Sequence, residues 1–231
     1  MKDYQRGLKD GVAIGLGYLS VAFSFGINAV SGGLTVLQAL LISMCNVTSA
    51  GQLAGLDLMV KLAPLTEMAL VQLTINIRYS LMSISLSQKL APEVTTPHRM
   101  AIAFVNTDEV FAVASAQPGL LGRGYLYGLI TMPFGGWALG TLLGAAAGEI
   151  LPGFLTQALG IMIYAMFIAI VLPPAKKSKP IRFVALAAGA LSVLFYYMPG
   201  LHLSSGLSII VCAVAAAALG AWLFPVREAE S

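Results

Sequence analysis

A polytopic bundle of membrane-spanning α-helices is the fold class this sequence predicts, and three observations carry that expectation. Of 231 residues, 58% are hydrophobic and only 10% are charged, against roughly 25% charged in a soluble domain. The apolar residues gather into stretches long enough to cross a bilayer, which takes about 20 residues as helix. No stretch shows the alternation, about ten residues long, of an outer-membrane barrel strand. The net charge of +3 comes from basic residues in short connections. There is no basic patch interleaved with aromatics, so nucleic acid is not an expected partner.

The first ten residues are short and charged, and apolar sequence follows from Gly11. With no small-residue cleavage site after that run, it reads as a first span that stays. Seven uninterrupted apolar spans follow from the charges, prolines and glycine-rich breaks: residues 11–30, 34–60, 62–87, 124–148, 155–172, 181–197 and 204–224. An eighth, 100–117, is interrupted by Asn106-Thr107-Asp108-Glu109. The whole of 1–231 therefore reads as one all-α transmembrane domain with short loops.

The positive-inside rule favours the eighth span crossing. Then Lys2, Arg6, Lys9, Lys61, Arg123, Lys176, Lys177, Lys179, Arg182 and Arg227 share one side, and only Lys89 and Arg99 face the other. If 100–117 stops short, the split is more even. Eight crossings place both termini in the cytoplasm of a cytoplasmic (inner) membrane. The polar run predicts a helix break at residues 105–109, because unwound backbone at membrane depth lines cavities; the alternative is a loop dipping into the interface.

Glycines repeat every four residues at Gly136, Gly140, Gly144 and Gly148, with Gly124 and Gly128 upstream. Such a row is a flat groove for a close-packed helix, or a docking face for a separate subunit. Gly7, Gly11 and Gly15 make a shorter row in the first span. Pro133, inside its span, predicts a kink; Pro152, Pro173, Pro174 and Pro199 are expected to end helices. Cys45 and Cys212 lie in apolar segments, and no metal-ligand cluster accompanies them. With His98 and His202 expected in loops and no serine in a nucleophile elbow, catalysis is a poor fit. No cofactor is expected.

The functional signal is polar. Glu67, Thr74, Arg78 and Ser85 form one stripe of the third span, and Gln72, Asn76, Ser80, Ser83 and Ser87 an adjacent one. Lipid cannot cover that face, so it lines a cavity or meets other polar helices. The second span supplies Asn46, Thr48, Ser49 and Gln52, and the interrupted span supplies Asn106, Thr107, Asp108 and Glu109. This chemistry suits a zwitterion. Arg78 can hold a carboxylate bidentately, as can the amides of a helix break. Asp108 or Glu109 can accept an ammonium, carry a proton or pair with Arg78. The competing reading is a structural ion pair pinning two helices.

At these residues the chain resembles the AzlC family, large subunits of bacterial branched-chain amino-acid exporters associated with azaleucine resistance. The resemblance is carried by Gly17-Tyr18 through Phe25-Gly26, Ser49-Ala50-Gly51-Gln52, Asn76-Ile77-Arg78-Tyr79, Thr107-Asp108-Glu109-Val110-Phe111 and Gly136-Trp137 to Gly140-Thr141. The last third matches only in hydropathy and length. The family pattern has proline near Ser20 and glycine near Ala22, and this chain departs from it there. The resemblance implies export of leucine, valine, isoleucine and in some members methionine, a small AzlD-type membrane partner, and drive from the proton gradient. The expected residues are Arg78, Asp108, Glu109, Asn76, Gln52, Asn106, Asn46 and Thr107 for substrate or coupling. A passive channel for small zwitterions and a non-transporting scaffold are the rivals.

Overall fold

The structure is a computed structural model that describes residues 2–154, 158, 161–198 and 204–225. Among these are ten helices and no strand. They are α1 (Lys2–Ser31), α2 (Val36–Cys45), α3 (Ser49–Val60), α4 (Leu65–Ser87), α5 (Thr96–Ala103), α6 (Asp108–Ala116), α7 (Arg123–Ile150), α8 (Met162–Lys177), α9 (Lys179–Tyr197) and α10 (Ser205–Leu223). By length and composition, α1, α7, α9 and α10 can each cross a membrane. The chain falls into two compact units, one of residues 1–56 and 75–163, the other of 57–74 and 164–231.

The first unit is organised by α1 and α7, which lie parallel and in close contact. Glycine makes this possible. A Cβ on Gly144 would sit 1.9 Å from the Phe23 carbonyl oxygen, one on Gly136 2.2 Å from that of Gly15, and one on Gly140 2.4 Å from that of Leu19. From the other side, a Cβ on Gly7 would meet the Tyr125 oxygen at 2.1 Å, and one on Gly26 the Thr141 oxygen at 2.3 Å. Gly148 continues the row against Ile27. The glycine row is thus filled by α1 of the same chain and offers no free face to a second subunit. α7 runs unbroken through Pro133.

Between these two helices the chain makes two hairpins where single spans were expected. α2 begins at a capping box, Thr35 with Gln38, and ends at Asn46, which leaves the helix with φ −141° and ψ 90°. α3 then turns back: the Gln52 amide donates to Ser43 Oγ at 2.8 Å. On one continuous helix those residues would be about 13 Å apart along the axis. Residues 34–60 therefore form a helix–break–helix hairpin. The reason lies in Asn46, Thr48 and Ser49, whose side chains compete with the backbone ladder and favour caps over helix interiors. Thr48 serves as that cap, its hydroxyl accepting from the Gly51 amide at 3.4 Å.

The predicted break at residues 105–109 falls between α5 and α6, at Phe104–Thr107. The segment folds back on itself, however. His98 near the start of α5 bonds Tyr127 at 2.9 Å, and Phe104 at its end meets Phe134 with ring centroids 6.4 Å apart, so α5 runs alongside α7. Thr107 meets Tyr18 on α1, while Gln117, just past α6, reaches back to Asp10 at 3.4 Å. Both ends of 96–117 therefore lie at the end of the unit where α1 and α7 begin. Lys89, just past α4, caps α6 there by donating to the Ser115 and Gln117 carbonyls at 2.6 and 2.5 Å. Arg6, Lys89 and Arg123 share that end; the charge count that favoured a crossing assumed that 34–60 crossed as well, and the two corrections compensate.

Two smaller expectations also change. His98 sits in α5 rather than a loop, and Pro173 and Pro174 lie inside α8, which continues to Lys177. In the second unit α9 and α10 pack through Phe183–Phe224, with centroids 5.7 Å apart, and Gly220 against Val184. Glu67 accepts the Gly206 amide at 2.8 Å in the first turn of α10, where a carboxylate complements the helix dipole. Part of the 155–172 span, Pro199, His202 and Arg227 lie outside the described residues.

Candidate functional site

The two hairpins enter the first unit from opposite ends, and their tips meet in the middle. Asn46-Val47-Thr48 forms one tip and Phe104 to Thr107 the other. Between them lies a cavity of about 210 Å³ lined by Cys45, Asn46, Val47, Thr48, Ala103, Phe104 and Asn106, with Asn76 and Tyr79 from α4. Two helices, α3 and α6, begin at this point. The positive dipole ends of both helices therefore lie beside the cavity.

Each tip is latched by a tyrosine from a long helix. Tyr79 on α4 donates to Thr48 Oγ1 at 3.2 Å, and Thr48 in turn donates to Asn76 Oδ1 at 3.0 Å. Tyr18 on α1 bonds Thr107 Oγ1 at 2.6 Å and also the Glu109 carboxylate. Its ring packs edge-on against buried Trp137, centroids 5.1 Å apart. The two latches are alike: in each, a tyrosine hydroxyl from a long helix meets the threonine of a hairpin tip.

Arg78 pairs with Asp108 at the start of α6. It also donates to the Tyr79 hydroxyl at 3.1 Å and stacks on that ring, 4.9 Å from the centroid. One hydrogen-bonded path thus runs Asp108–Arg78–Tyr79–Thr48–Asn76 and ties both tips to α4. The adjacent acids part company: Asp108 faces α4 and Glu109 faces Tyr18 on α1. Their first-turn position suits the dipole of α6. The first turn of α3 carries no acid.

Among the expected residues, Arg78, Asp108, Asn76, Asn46, Asn106, Thr107 and Glu109 gather around the tips. Gln52 stands one step away. It joins a buried cluster in which it donates to Ser43, and Ser43 meets Thr141 Oγ1 at 2.6 Å, fastening the first hairpin to α7. Asn106 is 3% exposed; its amide donates to Ser83 at 3.3 Å, while its Oδ1 has no partner among the described residues. Of the polar α4 stripe, Glu67 belongs to the second unit and Thr74 bonds its own Leu70 carbonyl at 2.8 Å. Sequence reasoning missed Tyr18 and Tyr79 as latches. The signal available was that a tyrosine hydroxyl at membrane depth must find a partner.

The family model described as AzlC protein matches residues 13–151, which span both hairpins and the tips. The chain is 28% identical over 196 residues to inner membrane protein YgaZ of Escherichia coli, covering 82% of this chain and 80% of that one. It is 32% identical over 223 residues to an uncharacterized membrane protein of Archaeoglobus fulgidus, covering 95% and 94%. A membrane protein of Helicobacter pylori, also uncharacterized, is 25% identical over 186 residues, 77% of this chain. No solved structure matches. With a family model covering more than half its length and the latched tips inside the matched region, this chain is a membrane protein of the AzlC family.

Proposed function

We propose that this chain is the large subunit of an exporter for branched-chain and related hydrophobic amino acids, working in the cytoplasmic membrane with a small membrane partner. The observation that carries the reading is the cavity between two opposed hairpin tips, beside the Arg78–Asp108 pair. Opposed broken helices at mid-depth are how transporters make a site reachable from either side in turn. The walls combine apolar Val47, Ala103 and Phe104 with polar Asn46, Thr48, Asn76 and Asn106, a mixture suited to a zwitterion with an aliphatic side chain. The volume is below the roughly 300–1,000 Å³ of drug-sized sites, so a compact solute fits.

Support for the solute class and the partner comes from family membership rather than from geometry. The end holding Arg6, Lys89, Arg99 and Arg123 faces the cytoplasm in this proposal, by the positive-inside rule. The Arg78–Asp108 pair holds the second tip against α4, and release of the pair frees the tip to move. Glu109, held by Tyr18, is the proton-coupling group in this scheme. Peptide-loaded cells expressing the chain with its partner should export leucine, valine and methionine faster than controls, and an uncoupler should abolish the difference. Unchanged efflux of all three, with the protein present in the membrane, removes the proposal.

A further inference from the structure

The second unit holds a larger cavity, of about 580 Å³, between the C-terminal half of α8 and the first turns of α9. Ser178 alone separates the two helices. Phe183 and Val184 carry α9 onto α10. Arg182 and Leu186, one turn apart on α9, border the cavity instead. Its walls are apolar, with Ile168, Val171 and Leu172 from α8 facing Leu186. The charged side chains that line it are Lys176, in the last turn of α8, and Arg182, in the first turn of α9. Both cations therefore stand at the end where the helices join, and the apolar wall runs from there into the span.

Among the described residues no carboxylate pairs with either cation: the ion pairs are Lys61–Asp57 and Arg78–Asp108, and Glu67 accepts the Gly206 amide. Lys177 and Lys179 add to the same turn, so residues 176–182 carry four bases and no acid. Lys179 and Arg182 also occupy the positive end of α9, whose first turn has no acid; an anion is stabilised there and a cation is not. Snorkelling to the interface accounts for cations at helix ends, but it requires no cavity beneath them. A fitting occupant is apolar over about 12 Å, the axial distance from Ile168 to Lys176, and anionic at the cation end. An amino acid does not fit, since no lining side chain accepts its ammonium. We propose that this cavity holds one anionic phospholipid, with its phosphate on Lys176 and Arg182 and an acyl segment against Ile168, Leu172 and Leu186. Basic pockets between membrane helices hold lipid head groups in this way.

Native mass spectrometry of the purified full-length chain in detergent tests this, with dioleoyl phosphatidylglycerol as the anionic lipid and dioleoyl phosphatidylcholine as the zwitterionic control. Wild type should retain one phosphatidylglycerol at concentrations where phosphatidylcholine is not retained. Lys176→Gln with Arg182→Gln removes both charge-assisted contacts and should weaken that retention about tenfold or more. Lys177→Gln with Lys179→Gln removes the same amount of charge from outside the cavity and should stay within about threefold of wild type. Leu172→Trp fills the apolar wall, keeps every charge, and should also release the lipid.

Lys176 and Arg182 are exposed, so their glutamine variants leave the packing of the helices intact. Equal retention of the two lipids by wild type overturns the proposal, as does unchanged retention in Lys176→Gln with Arg182→Gln. Equal loss in the two glutamine pairs overturns it too, because the lipid would then follow surface charge rather than the cavity. The same spectra report the mass of the assembly. A dimer that falls to monomer in Leu172→Trp, with lipid retention unchanged, would assign the cavity to a second copy of this chain.

Discussion

Tyr18 and Tyr79 each spend one hydroxyl on the threonine of a hairpin tip, and each also touches a charged group, Glu109 or Arg78. Loss of one hydroxyl should therefore be felt at both neighbours. Tyr18→Phe leaves Thr107 and Glu109 without their donor, and we expect about 1–3 kcal/mol less stability, read as a lower unfolding midpoint in detergent. Tyr18→Phe with Thr107→Val should cost less than the sum of the two single changes; strict additivity would deny the latch. Arg78→Ala leaves Asp108 unpaired beside α4, and efflux should fall at least about tenfold. Arg78→Met with Asp108→Leu, which removes the pair cleanly, should stay folded yet remain inactive; retained efflux would make the pair purely structural. Arg78, Asp108 and Asn106 were legible in the sequence because ionisable and amide groups at membrane depth are costly and so conspicuous. The latches were not, because a tyrosine in an apolar run reads as ring surface until the hydroxyl's partner is known.

At the level of elements, the glycine spacing correctly indicated close helix packing, and the structure supplies the other helix, α1. Gly144→Ala should destabilise by about 1–3 kcal/mol or more, since its Cβ has only the Phe23 backbone to meet. Gly17→Ala, with nothing within 4 Å, should be silent in the same melting assay. The hairpins were harder to read. Hydropathy measures how much apolar chain is present, not which way it runs, so two short helices joined at Asn46–Thr48 resemble one long span. At 105–109 the polar run exposed the break but not the return of the chain. The hairpin topology has a direct test in a Cys45→Ala/Cys212→Ala background. A cysteine at Glu93 should label from the same side as one at Asp3, and one at Gly33 from the opposite side. Glu93 and Asp3 labelling from opposite sides would restore the crossing.

For the whole molecule, the first unit carries most of the matched family region and the opposed tips. In the second unit α9 buries no residue and turns Leu186, Val193 and Leu194 outward, a surface suited to lipid. In the proposed function the latched tips move an amino acid outward. The most direct measurement is leucine efflux from peptide-loaded cells that express the chain with a small membrane partner, comparing wild type, Arg78→Ala and Asn106→Leu at matched membrane levels. Rapid efflux is expected in wild type and near-background efflux in both variants. Wild-type efflux at background, or variants as fast as wild type, would contradict that function.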